Sequence, residues 1–250
     1  MHRFYLPPSQ CQEATIFLAG REAHHARHVL RVRRGECVAV LDGAGHELLC
    51  DVEDYDRDKI RLAVNEKRSH SPPACPVTLV QALPKGKMIE TIIQKATELG
   101  AARIVPLISE RVVAQLRAED AARKAGKLQW VAVEAIKQCG AAWLPKVETP
   151  LTLAQHLARK EAFELPLVAS LQAGSRPARE YLLAFQAQHG RGPASACIWI
   201  GPEGDFTPAE TEAITASGAL PITLGRLVLR VETAAIYCLA ILQYELESHP

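Results

Sequence analysis

The stretch Ile198-Trp199-Ile200-Gly201-Pro202-Glu203-Gly204-Asp205-Phe206-Thr207-Pro208-Ala209-Glu210 decides the fold class. An apolar run reads as a buried strand, a glycine-rich loop follows it, and a helix start follows the loop. That start is marked three times. Thr207 suits the N-cap, Pro208 suits the first helical position, and Glu210 completes a capping box.

Outward from this unit the pattern repeats. Strands are expected at 77–83, 104–108, 166–171, 196–200 and 220–224. Helices are expected at 88–99, 118–140 (one or two), 177–188, 208–217 and 232–247. The helix at 88–99 places Ile89, Ile92, Ile93, Ala96 and Leu99 on one face, with Gly100 as its stop. Such alternation predicts an α/β fold with a mainly parallel sheet covered by helices. The last helix is apolar on nearly all sides in its middle, so it is expected to be buried on more than one face, inside the domain or at a subunit interface.

The first seventy residues read differently. Short apolar runs at 37–41, 46–52 and 59–64 are separated by the turn Asp42-Gly43-Ala44-Gly45 and a polar link at 54–58. These predict a small β-barrel, with a short helix over 21–31 carrying Glu22, His25, Val29 and Leu30. His70-Ser71-Pro72-Pro73-Ala74-Cys75-Pro76 continues neither helix nor central strand. The expected organisation is therefore a barrel at 1–70, a linker at 71–76 and an α/β domain at 77–250. No internal repeat or low-complexity segment interrupts it.

Composition sets outer bounds. The 250 residues are 48% hydrophobic and 23% charged, ordinary for a globular protein. No apolar run approaches the roughly 20 residues that span a bilayer. Met1-His2-Arg3-Phe4-Tyr5-Leu6-Pro7-Pro8 has no signal-like apolar stretch, so a cytoplasmic location is expected. Seven cysteines, with no Cys-x-x-Cys pair, argue against a disulfide framework and a thiolate zinc site. Net charge is only +1, but residues 1–34 hold six Arg, two Glu and four His. A basic arm of this kind suits phosphate contact or a solvated surface.

Four segments can carry chemistry. The 201–205 loop sits where phosphate loops sit, yet Glu203 and Asp205 would repel an anion, and neither Gly-Lys-Ser/Thr nor Gly-x-Gly-x-x-Gly is present. Its backbone could hold a neutral or cationic ligand, or its glycines could serve geometry alone. Leu224-Gly225-Arg226-Leu227-Val228-Leu229-Arg230-Val231-Glu232 also lies at a strand's carboxyl end, where open α/β sheets bind ligands. Glu232 could simply complement a helix dipole, whereas Arg230 among apolar residues needs a partner. Lys85-Gly86-Lys87 suits an RNA phosphate or a solvated loop. His24 and His28 have i, i+4 spacing, but no third ligand is evident and no metal is expected.

In order along nearly the whole chain, these motifs resemble the RsmE family, the 16S ribosomal RNA uridine-N3 methyltransferases of the SPOUT superfamily. The resemblance rests on His25…Val29-Leu30-Arg31, Asp42-Gly43, Lys85-Gly86…Met88-Ile89-Glu90, Gln94-Lys95-Ala96-Thr97-Glu98-Leu99-Gly100, Pro106-Leu107 and Glu134-Ala135…Gln138. It closes on Gly201-Pro202-Glu203-Gly204 and Leu229-Arg230-Val231-Glu232-Thr233-Ala234. It implies a PUA-like RNA-binding β-barrel followed by a domain with a deep trefoil knot, a rare exception to unknotted topology. It also implies a homodimer, the methyl donor S-adenosylmethionine and a 16S RNA substrate in the small ribosomal subunit.

Cofactor contacts are expected from Leu171, Ile200, Gly201, Pro202, Glu203, Gly204, Leu224, Gly225, Leu227, Leu229 and Arg230. Catalysis is expected from Arg230, with Glu232 or Glu203 as base. RNA contacts are expected from Arg3, His25, Arg27, Arg31, Lys85 and Lys87. Two positions depart from the family pattern: Asp205 replaces a usual glycine, and Ala141 a common arginine. Another SPOUT activity such as ribose 2′-O-methylation, or a non-catalytic RNA-binding factor, are the competing readings. A nucleotide-binding enzyme is disfavoured by the missing phosphate motifs.

Overall fold

In the computed structural model, the described residues are 1–56, 58–111, 118–172 and 174–247. The chain folds as two compact units, Met1–Pro72 with Val133–Leu144, and Pro73–Ala132 with Pro145–Pro250.

The first unit contains β1 (His2–Tyr5), β2 (Thr15–Ala19), α1 (Gly20–His24), a π-helical turn (His25–Leu30), β3 (Cys37–Leu41), β4 (His46–Tyr55) and β5 (Lys59–Ser69). The strands form one sheet in the order β1-β3-β4-β5-β2. β1 lies parallel to β3, and the other neighbours are antiparallel. Alternation sends Ile16 and Leu18 inward from β2, where they join Phe4, Val38, Val40, Leu48, Ile60 and Leu62 in one apolar core. The Asp42-Gly43 turn is built as its sequence suggests. Asp42 Oδ1 accepts from Ala44 N at 2.7 Å and His46 N at 3.0 Å, and Gly43 takes a φ of +71°.

Three expectations change here. Among the described residues no pairing joins β1 to β2, so the sheet is an open half-barrel and not a closed barrel. β5 continues five residues beyond the expected end at 64, because its polar outer half still pairs with β4. The helix over 21–31 divides into α1 and the π-helical turn, which stops at Arg31 in the left-handed conformation with a φ of +54°.

The second unit contains β6 (Val77–Ala82), α2 (Met88–Glu98), β7 (Arg103–Ile108), α3 (Ala118–Cys139), β8 (Lys146–Val147), β9 (Leu151–Thr152), α4 (Leu153–Ala158), β10 (Leu165–Ala169), α5 (Ala178–His189), β11 (Ala196–Ile200), α6 (Pro208–Ala216), β12 (Leu220–Ile222) and α7 (Val231–Glu247). α3 is a single helix, and its last turns belong to the first unit. The sheet order is β12-β10-β11-β6-β7-β8, with β9 also on β7, and every pairing is parallel. β6 and β11 are buried at every position, as expected of central strands covered on both faces.

α2 buries Ile89, Ile92, Ile93 and Ala96, as its periodicity predicts, and the chain turns away at Gly100 with a φ of +73°. β12 ends at Ile222, two residues before the expected end, and Thr223 Oγ1 then accepts from Gly225 N at 3.2 Å. Within this chain α7 buries Ala235, Cys238, Leu239 and Leu242, while Tyr237 and Tyr244 remain exposed. The helix packs against α2, α5 and the strands β6 and β11, and the face that carries Tyr237 and Tyr244 stays open. Among the described residues no helix is long and apolar enough to cross a membrane.

Candidate active site

Parallel strands release their loops on one side, and here three of those loops meet. The segments after β10, β11 and β12, with Lys85 and Met88 from beyond β6, line one cleft of about 1000 Å³ in the second unit. Leu171, Ile200, Gly201, Pro202, Glu203, Gly204, Leu224, Gly225, Leu227, Leu229, Arg230 and Glu232 all line it. The cleft therefore assembles every expected cofactor contact and every expected catalytic residue. Ser170, Gln172, Thr223 and Arg226 line it as well. Arg226 belongs to the segment 224–232 that the sequence marks, though with no role of its own, whereas Ser170, Gln172 and Thr223 carry no motif and lie at or beside the ends of expected strands.

The loop after β11 is tightly determined. A Cβ on Gly201 would lie 2.7 Å from Asp205 Oδ1 and 3.1 Å from Phe206 N, so only glycine fits. Asp205 itself has a φ of +60°, the region that favours glycine but that aspartate tolerates. This accounts for the usual glycine at that position. Asp205 compensates through its side chain, whose Oδ1 accepts from Phe206 N at 2.8 Å, and its own N–H donates to Pro202 O at 2.9 Å. Next comes the capping box: Thr207 Oγ1 accepts from Glu210 N at 3.2 Å, and Glu210 Oε2 accepts from Thr207 N at 2.9 Å. The other oxygen of buried Glu210 accepts from Glu110 N at 2.9 Å, anchoring the loop after β7. Arg111, on that loop, packs at Gly204 and reaches Asp205 O at 3.4 Å.

The loop after β12 is looser. Gly225 has a φ of +107°, and Leu227 and Val228 expose about three-quarters of their surface, 77% and 78%. Arg230 precedes α7, with its carbonyl accepting from Ala234 N at 2.8 Å. Among the described residues its guanidinium has no hydrogen bond or ion pair, and neither do the charged ends of Lys85, Arg226 and Glu232. Glu203 differs, since its Oε1 accepts from Lys85 N at 2.8 Å. The cleft thus presents free cations, one free carboxylate and exposed apolar side chains around a close-packed backbone loop.

A sequence profile of the RNA methyltransferase domain matches residues 71–243, and one of the RNA methyltransferase PUA domain matches residues 18–65. The Ribosomal RNA small subunit methyltransferase E of Bacillus subtilis is 32% identical, covering 99% of this chain and 98% of its own. The protein of that name from Synechocystis is 34% identical, covering 99% of this chain and 78% of its own. The chain belongs to the small-subunit ribosomal RNA methyltransferase E family. Its fold agrees. A methyltransferase structure from Legionella pneumophila, in complex with the bound cofactor SAM, is similar at a TM-score of 0.86 and 30% identity over 97% of each chain.

Other residues expected of a methyltransferase E protein fall outside the cleft. Arg3 lies in the first unit, where its Nη1 donates to Gln138 O at 3.2 Å and its guanidinium packs on Gly140. Arg27 donates to Asp56 O at 2.6 Å and stacks over Tyr55. His25 Nδ1 lies 3.5 Å from Lys137 Nζ. Internal contacts therefore occupy these three, whereas Arg31 points to solvent. Lys87 is the exposed residue preceding α2. His24 and His28 stack at 4.8 Å between ring centroids, and among the described residues no group of three His, Cys, Asp or Glu is arranged to hold a metal.

Proposed function

We propose that this protein transfers a methyl group from S-adenosylmethionine to N3 of a uridine in 16S ribosomal RNA. The observation that carries the reading is the convergence of the β10, β11 and β12 loops on one cleft in a methyltransferase E chain. The cleft fits the donor by its own chemistry. Gly201 leaves room only for backbone, Leu171 and Leu227 offer exposed apolar surface for a flat ring, and the loop itself carries two carboxylates, Glu203 and Asp205, and no lysine. S-adenosylmethionine, when bound, supplies an electrophilic methyl group.

The chain's own residues do the rest. Backbone groups of Ile200, Gly201, Leu224, Gly225 and Leu229 hold the donor, with Pro202 and Gly204 shaping its loop. N3 of uridine must lose its imide proton before it attacks, and Glu232 or Glu203 accepts that proton. The guanidinium of Arg230, free of any partner among the described residues, stabilises the negative charge that spreads onto the uracil oxygens. Lys85 and Lys87 meet the RNA backbone, as does the basic surface around Arg31. The target base is unstacked from folded RNA to reach the cleft. A homodimer belongs to this reading, covering Tyr237 and Tyr244 on α7, as do a deep trefoil knot and a cytoplasmic location.

The test is methyl transfer from labelled S-adenosylmethionine to small ribosomal subunits lacking the modification, followed by nucleoside analysis. Label in 3-methyluridine is the expected result. Label in a 2′-O-methyl nucleoside moves the reaction to ribose, and absence of transfer overturns the reading.

A further inference from the structure

β6 and β11 are parallel neighbours, and Ile200 pairs with Gln81. Their loops therefore leave the sheet side by side. Glu203 is three residues past that pair on one loop, and Lys85 is four past it on the other. Pro84 has no N–H to donate, so Lys85 carries the first backbone donor beyond Leu83, whose own N–H is taken by Leu107 O at 2.8 Å. Glu203 Oε1 meets that donor at 2.8 Å. No ladder or helix hydrogen bond satisfies the Lys85 N–H otherwise. The next residue, Gly86, turns the chain in the left-handed conformation with a φ of +67°, and no other atom lies within 4 Å of its Cβ position. The side chains of Lys85 and Lys87 are exposed, and among the described residues their ammonium groups have no partner. Among the described residues no other hydrogen bond or ion pair joins Lys85, Gly86 or Lys87 to the loops after β10, β11 and β12.

We propose that Glu203 is a positioning residue: its carboxylate staples the cofactor loop to the Lys85-Gly86-Lys87 turn, so that the turn meeting RNA phosphate is held by the loop that holds the methyl donor. This rests on the function proposed above and refines it, because it removes Glu203 from the choice of base and leaves Glu232. The staple needs an acceptor oxygen at Glu203 and no proton transfer. An amide at that position still accepts from Lys85 N, whereas a methyl group does not.

The experiment compares wild type, Glu203→Ala and Glu203→Gln in three readouts. These are steady-state methyl transfer to unmodified small subunits, calorimetric titration with S-adenosylmethionine, and amide hydrogen exchange at Lys85. In Glu203→Ala, KM for the subunit is expected to rise by about tenfold, the loss of one charge-assisted hydrogen bond, with a smaller change in kcat. Exchange at Lys85 is expected to accelerate by a similar factor. Glu203→Gln is expected to regain most of the KM and the Lys85 protection that Glu203→Ala loses. A kcat equally depressed in both variants with KM unchanged makes Glu203 the base and overturns the staple. Unchanged Lys85 exchange in Glu203→Ala also overturns it. A wild-type protein that transfers no methyl group sinks the proposed function alone, since the exchange comparison still decides the staple.

Discussion

A Cβ placed on Gly201 would sit 2.7 Å from Oδ1 of Asp205, the same oxygen that accepts from Phe206 N at 2.8 Å. The two residues share one small space, and the shape of the loop after β11 follows from both. Gly201→Ala should force the loop open at a cost of about 1–3 kcal/mol. S-adenosylmethionine affinity should fall by about tenfold or more. Isothermal titration measures this directly, and wild-type affinity would show that the loop does not form the binding surface.

Asp205 takes a backbone conformation that alanine resists. Asp205→Ala should lose about 1–2 kcal/mol, combining left-handed strain with the missing hydrogen bond to Phe206 N. Asp205→Asn keeps both the tolerance and the acceptor, and should stay within about 0.5 kcal/mol of wild type. Equilibrium denaturation of the two variants checks the ordering, and equal losses would remove the side-chain hydrogen bond from the account.

Arg230 offers an unengaged guanidinium to the cleft. Arg230→Ala should reduce turnover by about a hundredfold or more, as removal of one charge-stabilising donor does, while S-adenosylmethionine binding stays close to wild type. Turnover near normal in single-turnover assays would take Arg230 out of the mechanism.

His156 is buried with its ring edge-on to Trp199 at 4.8 Å, and burial lowers its pKa below the ordinary 6.5, with the neighbouring Glu161 opposing. The folded protein therefore binds fewer protons at this site than the unfolded chain does. Stability should be lost as pH falls below about 6.5 and toward the depressed folded value. Glu161 and Glu164, whose carboxyls are held below the ordinary 4.5 by Arg103 and Arg191, contribute only at more acidic pH. His156→Leu should flatten the slope of unfolding free energy between about pH 6.5 and 5. The same slope in wild type and variant would assign the pH dependence elsewhere.

In the first unit Lys137 Nζ lies 2.9 Å from Glu22 Oε1, with 5% and 6% of their side chains exposed. Glu134 Oε1 is a second, more exposed partner at 3.2 Å. Glu22→Ala strands a buried ammonium and should cost about 3 kcal/mol in urea unfolding. The pair Glu22→Leu with Lys137→Met should recover most of that loss, because the burial penalty leaves with the charges. A double variant no better than the single would show that the charge itself is required.

What the sequence determined by itself is local. The capping box at Thr207 and Glu210, the apolar face of α2, the turn at Asp42 and the alternation of strand and helix are all present as read. Each depends on residues within one or two turns of one another, and that is the range over which periodicity and capping chemistry act. The cleft residues on the loops after β11 and β12 were legible too, because motif order along the chain marked them. The tertiary structure decided which strands are neighbours. Glu203 meets Lys85 across 118 positions because β11 lies beside β6, and no local pattern encodes that pairing. It also decided that Arg3 and Arg27 serve their own unit, that the half-barrel stays open, and that the second oxygen of Glu210 holds the loop after β7. A residue's type states what it can bond, and long-range packing determines which partner reaches it first.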